Sequence, residues 1–170
     1  MNDLKKGRVW NSFMIGVFFI NIFILFNYYN NNFKNNDSFK KKLTILVSIY
    51  VLVCGIRGIF PRIEDSKLCF YNNYISMPLI GRSLATIAEL SFTLQFVLIT
   101  QKILTYVSKF IQHASFLQTI NSMLFPLIAI AQFSCWVGII TTDTSWNAIE
   151  ESIWTFFGLA KILIYIFIYC

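Results

Sequence analysis

Six apolar-flanked residues in this chain carry groups able to do chemistry: Arg57, Arg82, Glu89, Lys161, Thr86 and Gln132. Three more, the pair Glu150–Glu151 and Asp143, lie near the start of the last apolar stretch. The segment Met77-Pro78-Leu79-Ile80-Gly81-Arg82-Ser83-Leu84-Ala85-Thr86-Ile87-Ala88-Glu89-Leu90-Ser91-Phe92-Thr93 is the most informative. At ~100° per residue, Arg82, Thr86, Glu89, Thr93 and Thr100 fall within about 60° of one another on a helix. Leu84, Ile87, Leu94 and Leu98 take the opposite arc. One helix thus has an apolar face and a polar seam. A second seam reads Glu150, Trp154, Phe157, Lys161, Tyr165, and Gln132, Trp136 and Asp143 share a third.

An ionisable group inside a membrane span is expensive unless it faces a partner or water. Depth along each span therefore suggests partners. Glu89, Lys161 and Gln132 come out at mid-depth, with Lys161 the natural cation for Glu89. Arg82 lies two turns from Glu89, ~10 Å along the axis, which predicts no comfortable direct pair. Arg57, Arg62, Arg82, Asp143, Glu150 and Glu151 come out nearer one surface, as a charged vestibule. Glu64 and Asp65 add acids to the same loop side. The chemistry on offer is proton or ion handling at Glu89, with Arg82 as an anion anchor. The alternative for the arginines is snorkelling to head groups, and for the seams helix-to-helix glue.

The elements that would position these groups follow from composition. Of 170 residues, 56% are hydrophobic, 18% aromatic and only 13% charged. The mean hydropathy is +0.62. A soluble domain carries about 25% charge. The deficit excludes a disordered tail, a secreted mini-protein and a nucleic-acid module, and the net charge of +6 reads as membrane-flank charge. Stretches of about 20 apolar residues cross the hydrocarbon layer. Five qualify: Val9–Tyr29, Leu43–Phe60, Ile75–Gln101, Thr119–Thr141 and Ser152–Cys170. The expected fold is an all-α polytopic transmembrane helix bundle of about five spans, one domain over residues 1–170. Tyr106–Leu117 reads as a short amphipathic stretch at the interface.

Orientation is close to a tie. Lys5, Lys6, Arg8, Arg62 and Lys67 flank one side; Lys34, Lys40, Lys41, Lys42, Lys102 and Lys109 flank the other. The acids favour the second side as cytoplasmic, weakly. Asn36-Asp37-Ser38 matches a glycosylation sequon, a chance match in an Asn-rich chain.

Metal and nucleotide chemistry lack their residues. His113 is the single histidine, and Cys54, Cys69, Cys135 and Cys170 form no Cys-x-x-Cys pair. No GxxxxGK[ST], G-x-S-x-G or H-E-x-x-H is present. No cofactor is expected, and no nucleic-acid partner. The expected partners are the lipid bilayer and other membrane helices or a second copy of the chain.

The motifs Cys54-Gly55-Ile56-Arg57, Phe60-Pro61-Arg62, Gly81-Arg82-Ser83-x-Ala85-Thr86-x-Ala88-Glu89-Leu90 and Glu150-Glu151-Ser152-x-Trp154 together resemble a family of uncharacterised multi-pass membrane proteins. The resemblance spans roughly residues 50–155. It implies a chain that continues beyond Cys170, and it implies no activity. Three function classes are compatible with these residues. The first is a small transporter or ion- or proton-translocating protein with an intramembrane Glu/Arg site. The second is a structural or assembly subunit of a membrane complex. The third is a membrane-embedded enzyme acting on lipid head groups, with the arginines holding phosphate.

Overall fold

The computed structural model describes residues 2–33, 37–59, 62–63, 68–69, 78–109 and 113–169. The fold is all-α. The helices are α1 (Asn2–Phe33), α2 (Ser38–Ile59), α3 (Pro78–Val107), α4 (Ala114–Thr141) and α5 (Ser145–Tyr169). Between α2 and α3 a small antiparallel ladder pairs β1 (Arg62–Ile63) with β2 (Leu68–Cys69), Arg62 opposite Cys69. All five helices are long and apolar enough to cross a membrane: Val9–Asn30, Ser38–Ile59, Leu79–Val107, Ala114–Thr141 and Ser145–Ile168.

The helices run beyond the apolar stretches at several ends, and local chemistry explains where they stop. Asp37 opens α2: its Oδ1 accepts the Phe39 N–H at 3.0 Å and its carbonyl the Lys41 N–H at 3.1 Å. Capped there, the helix takes in Lys40, Lys41 and Lys42 before the apolar run starts. Pro78 begins α3, where a missing N–H leaves no orphan donor. The expected interfacial stretch Tyr106–Leu117 is not one element. Tyr106 and Val107 close α3, and Ala114–Leu117 are the first turn of α4. At the other end, α4 finishes with Thr142 left-handed at φ 59°. Asp143 Oδ1 then accepts the Ser145 N–H at 2.9 Å, so α5 starts seven residues before the apolar stretch does.

By contacts the chain forms two compact units, Met1–Phe92 and Thr93–Cys170. In the first, α1 packs on α2. Gly55 makes that approach possible, since a Cβ there would overlap the Phe18 ring. Tyr50 of α2 meets Phe92 of α3, ring centroids 5.3 Å apart. Small buried residues, Ala85 and Ala88, lie on the same stretch of α3. Small side chains let helices approach closely where lipid provides no hydrophobic drive.

In the second unit α4 packs on α5. Leu104, Leu124, Ile128, Ala131 and Ile164 are among its buried apolar residues. Gly138 faces Trp146, Asn147 Oδ1 and the Asp143 carbonyl, which a Cβ would approach to 3.1–3.3 Å, so the α4–α5 turn closes tightly over it. Pro126 lies inside α4 and offers no N–H to the Ser122 carbonyl.

Candidate functional site: a buried lysine among neutral oxygens

The most organised polar group of the described residues lies in the second unit. On α5 the buried positions are Phe157, Ala160, Lys161 and Ile164, a stripe at helical spacing. Lysine thus occupies a core position, only 6% exposed. Its Nζ donates to Asn121 Oδ1 at 2.6 Å, to Thr100 Oγ1 at 3.0 Å and to the Phe96 carbonyl at 3.2 Å. An ammonium has three N–H donors and no acceptor, so three oxygens complete it. The Phe157 ring stands 5.7 Å below, one turn earlier on the same helix.

Each acceptor is itself fixed. The Asn121 amide nitrogen donates to the Val97 carbonyl and to Gln101 Oε1, both at 3.0 Å. Those two acceptors determine which way the amide points and leave Oδ1 facing the amine. Thr100 donates its proton to the Phe96 carbonyl at 2.7 Å, which turns its lone pairs toward Lys161 and the Tyr165 hydroxyl, 3.2 Å away. Asn121 and Thr100 are fully buried. The network joins α3, α4 and α5 through side chains and helix carbonyls.

Lysine 161 was expected to meet a carboxylate. Its hydrogen-bond partners are all neutral, because it meets α3 at Phe96 and Thr100, about two and three turns beyond Glu89 on the same face. Asn121 was not singled out from the sequence. It stands two residues inside the apolar stretch that starts at Thr119, where an amide reads as interfacial; once α4 begins at Ala114 the same residue is two turns deep. Gln132, one of the expected mid-depth residues, is buried on α4.

The first unit holds the other charged pair. Arg82 Nη1 lies 3.9 Å from Glu89 Oε1, both side chains partly exposed. The axial separation of two turns had argued against this pair. Seven residues apart, the two share one face of the helix, and the long Arg82 stem, extended along that face against the usual N-terminal lean, spans the two turns. The separation is an ion-pair distance, too long for a hydrogen bond. Thr86 lies between them on α3, half-buried. Arg57 is exposed in the last turn of α2 and makes no ion pair among the described residues. That position suits a cation snorkelling outward beside the helix carbonyls. The acids expected between them, Glu64 and Asp65, are outside the described residues.

On α5, Glu150 is half-buried and Glu151 exposed, both in the second turn. The Ser145 backbone N–H beside Asp143 holds its carboxyl below the usual carboxylate range. Among the described residues no three His, Cys, Asp or Glu side chains gather as metal ligands. Between α4 and α5 an open cleft of about 370 Å³ is lined by Leu127, Ile149, Ile153 and Phe156, with Ser152 the single hydroxyl. Compared with protein families, with curated proteins and with solved structures, the chain matches none.

Proposed function

We propose that the protein is a polytopic integral membrane protein that moves a small ion or a proton, using charged side chains held within its spans. The observation that carries this reading is Lys161: an amine inside a spanning helix, buried, and completed by neutral oxygens instead of a carboxylate. A charge of that kind is kept in a membrane interior at considerable expense, and residues so placed tend to lie on ion and substrate pathways. Arg82 and Glu89 supply a second charged pair on α3. The experiment is reconstitution of the purified chain in liposomes carrying an imposed pH or ion gradient. Flux above empty vesicles, reduced at least about tenfold by Lys161→Met, supports the reading. No flux for protons, alkali cations or chloride overturns it.

A second reading, an assembly subunit for other membrane helices or for a second copy, is favoured by α1. Only 6% of its most apolar window is buried. Trp10, Phe13, Phe19, Phe23 and Phe26 all face outward, a surface that lipid or a partner helix would cover. Cross-linking from these positions in native membranes tests it: adducts only with lipid dispose of the partner.

A further inference from the structure

The arrangement around Lys161 can be read from the oxygens outward. Phe96 O, Thr100 Oγ1 and Asn121 Oδ1 converge on one point, and what occupies that point is the nitrogen of a side chain. Ignore the stem of Lys161 and the remainder is a small cage made of one helix carbonyl, one hydroxyl and one amide oxygen. Carbonyl and hydroxyl oxygens of this kind replace the hydration shell of a monovalent cation. All three are electrically neutral, so the cage carries no charge of its own to neutralise a divalent ion. The Phe157 ring at 5.7 Å presents a π-face to the same point, another group that attracts cations of low charge density.

The oxygens are also held independently of the lysine. Asn121 is oriented by the Val97 carbonyl and Gln101, and Thr100 by its own bond to the Phe96 carbonyl. Removing the amine would therefore leave the cage standing, with lone pairs pointing into desolvated space. Buried oxygens without a donor or a cation are unfavourable.

We propose that these oxygens form a monovalent-cation site for which the Lys161 ammonium is the tethered, resident cation. The class of ligand is an alkali ion of potassium size, or ammonium itself, and the wild-type chain dispenses with a free one because it supplies its own. This goes beyond the transport reading and does not rest on it, since binding is read without any flux.

The test uses the whole chain, purified in detergent, as wild type, Lys161→Ala and Lys161→Ala/Asn121→Leu. Thermal unfolding is followed in potassium, rubidium, ammonium, sodium and N-methylglucamine chlorides at constant ionic strength. Lys161→Ala is expected to gain about 3 °C or more in potassium, rubidium or ammonium relative to N-methylglucamine, by mass action on the folded state. Wild type is expected to show no such difference, and the double variant to lose it. A Lys161→Ala protein indifferent to every cation overturns the proposal. So does an equal shift in wild type, which would put the ion elsewhere, and so does a double variant that retains the shift. Where Lys161→Ala yields no folded material, Lys161→Ser replaces it. Failure of both to fold in potassium or ammonium as well as in N-methylglucamine also overturns it, since no free cation then substitutes for the amine.

Discussion

Asn121 Oδ1 lies 2.6 Å from Lys161 Nζ, the shortest of the three contacts that complete the amine, and it joins α4 to α5 through an amide that α3 holds in place. Losing the oxygen leaves a buried ammonium short of an acceptor. Asn121→Leu should destabilise the protein by about 1–3 kcal/mol. Lys161→Met removes the charge along with its need for partners and should be milder. In the double variant the two effects should fall short of their sum by about 1 kcal/mol or more. Reversible unfolding in mixed micelles gives all four corners of the cycle. Strict additivity would mean that the contact carries no energy.

For Arg82 and Glu89 the expectation is a modest pair. At 3.9 Å, and with both side chains partly exposed, it is discounted well below a buried salt bridge. Glu89→Gln alone should lower stability by about 1–2 kcal/mol, less than the 3–5 of a broken fully buried pair. Exchanging the two charges, Arg82→Glu with Glu89→Arg, should recover most of what either single exchange loses. Fluorescence size-exclusion melts compare the variants. A double exchange as damaged as the singles would show that the surroundings, not the mutual attraction, position these residues.

Gly55 should resist every substitution. Its missing Cβ is where the Phe18 ring lies, so even alanine forces α1 and α2 apart or drives the ring off its rotamer. Overpacking of this kind typically costs about 1–3 kcal/mol. Gly55→Ala together with Phe18→Ala should be better tolerated than Gly55→Ala alone. Gly16, with open space around it, serves as the control: Gly16→Ala should be neutral or slightly stabilising. Equal effects at both glycines would count against the α1–α2 contact.

Acid should act through the α4–α5 turn. The Ser145 N–H favours the charged form of Asp143 and holds its carboxyl below its ordinary value. The contribution is therefore complete above the ordinary carboxylate pKa of about 4, and it is lost as pH falls through the lower, folded value. Asp143→Asn keeps an acceptor oxygen but no charge. The advantage of wild type over Asp143→Asn should shrink steadily as melts are repeated toward more acid pH. A gap that widens on acidification would have the sign wrong.

The spans were legible because hydropathy is summed over many residues, and no single side chain decides it. Helix ends were less so. Asp37 and Asp143 extend α2 and α5 through polar residues that an apolar window discards. The same kind of error at the start of α4 hid Asn121, whose depth depends on where that helix begins. Partners chosen by depth failed with the helix ends that depth is counted from: Phe96 and Thr100, which Lys161 meets, share the Glu89 face of α3 but lie about two and three turns further along it. The Arg82–Glu89 contact was within reach of the sequence, since residues seven apart share a helix face and an arginine stem is long.

The tight α4–α5 turn bears on how the protein enters its membrane. A lysine at the centre of a lone inserting helix adds roughly 2.5–3.5 kcal/mol to the free energy of insertion. The turn over Gly138 keeps α4 and α5 next to one another in sequence and in space. A helical hairpin leaving the translocon as one body brings Asn121 in alongside Lys161, so the amine enters hydrocarbon already holding its nearest oxygen. Lengthening the turn would separate the two arrivals, and the first step to suffer would be biogenesis, before any property of the finished protein.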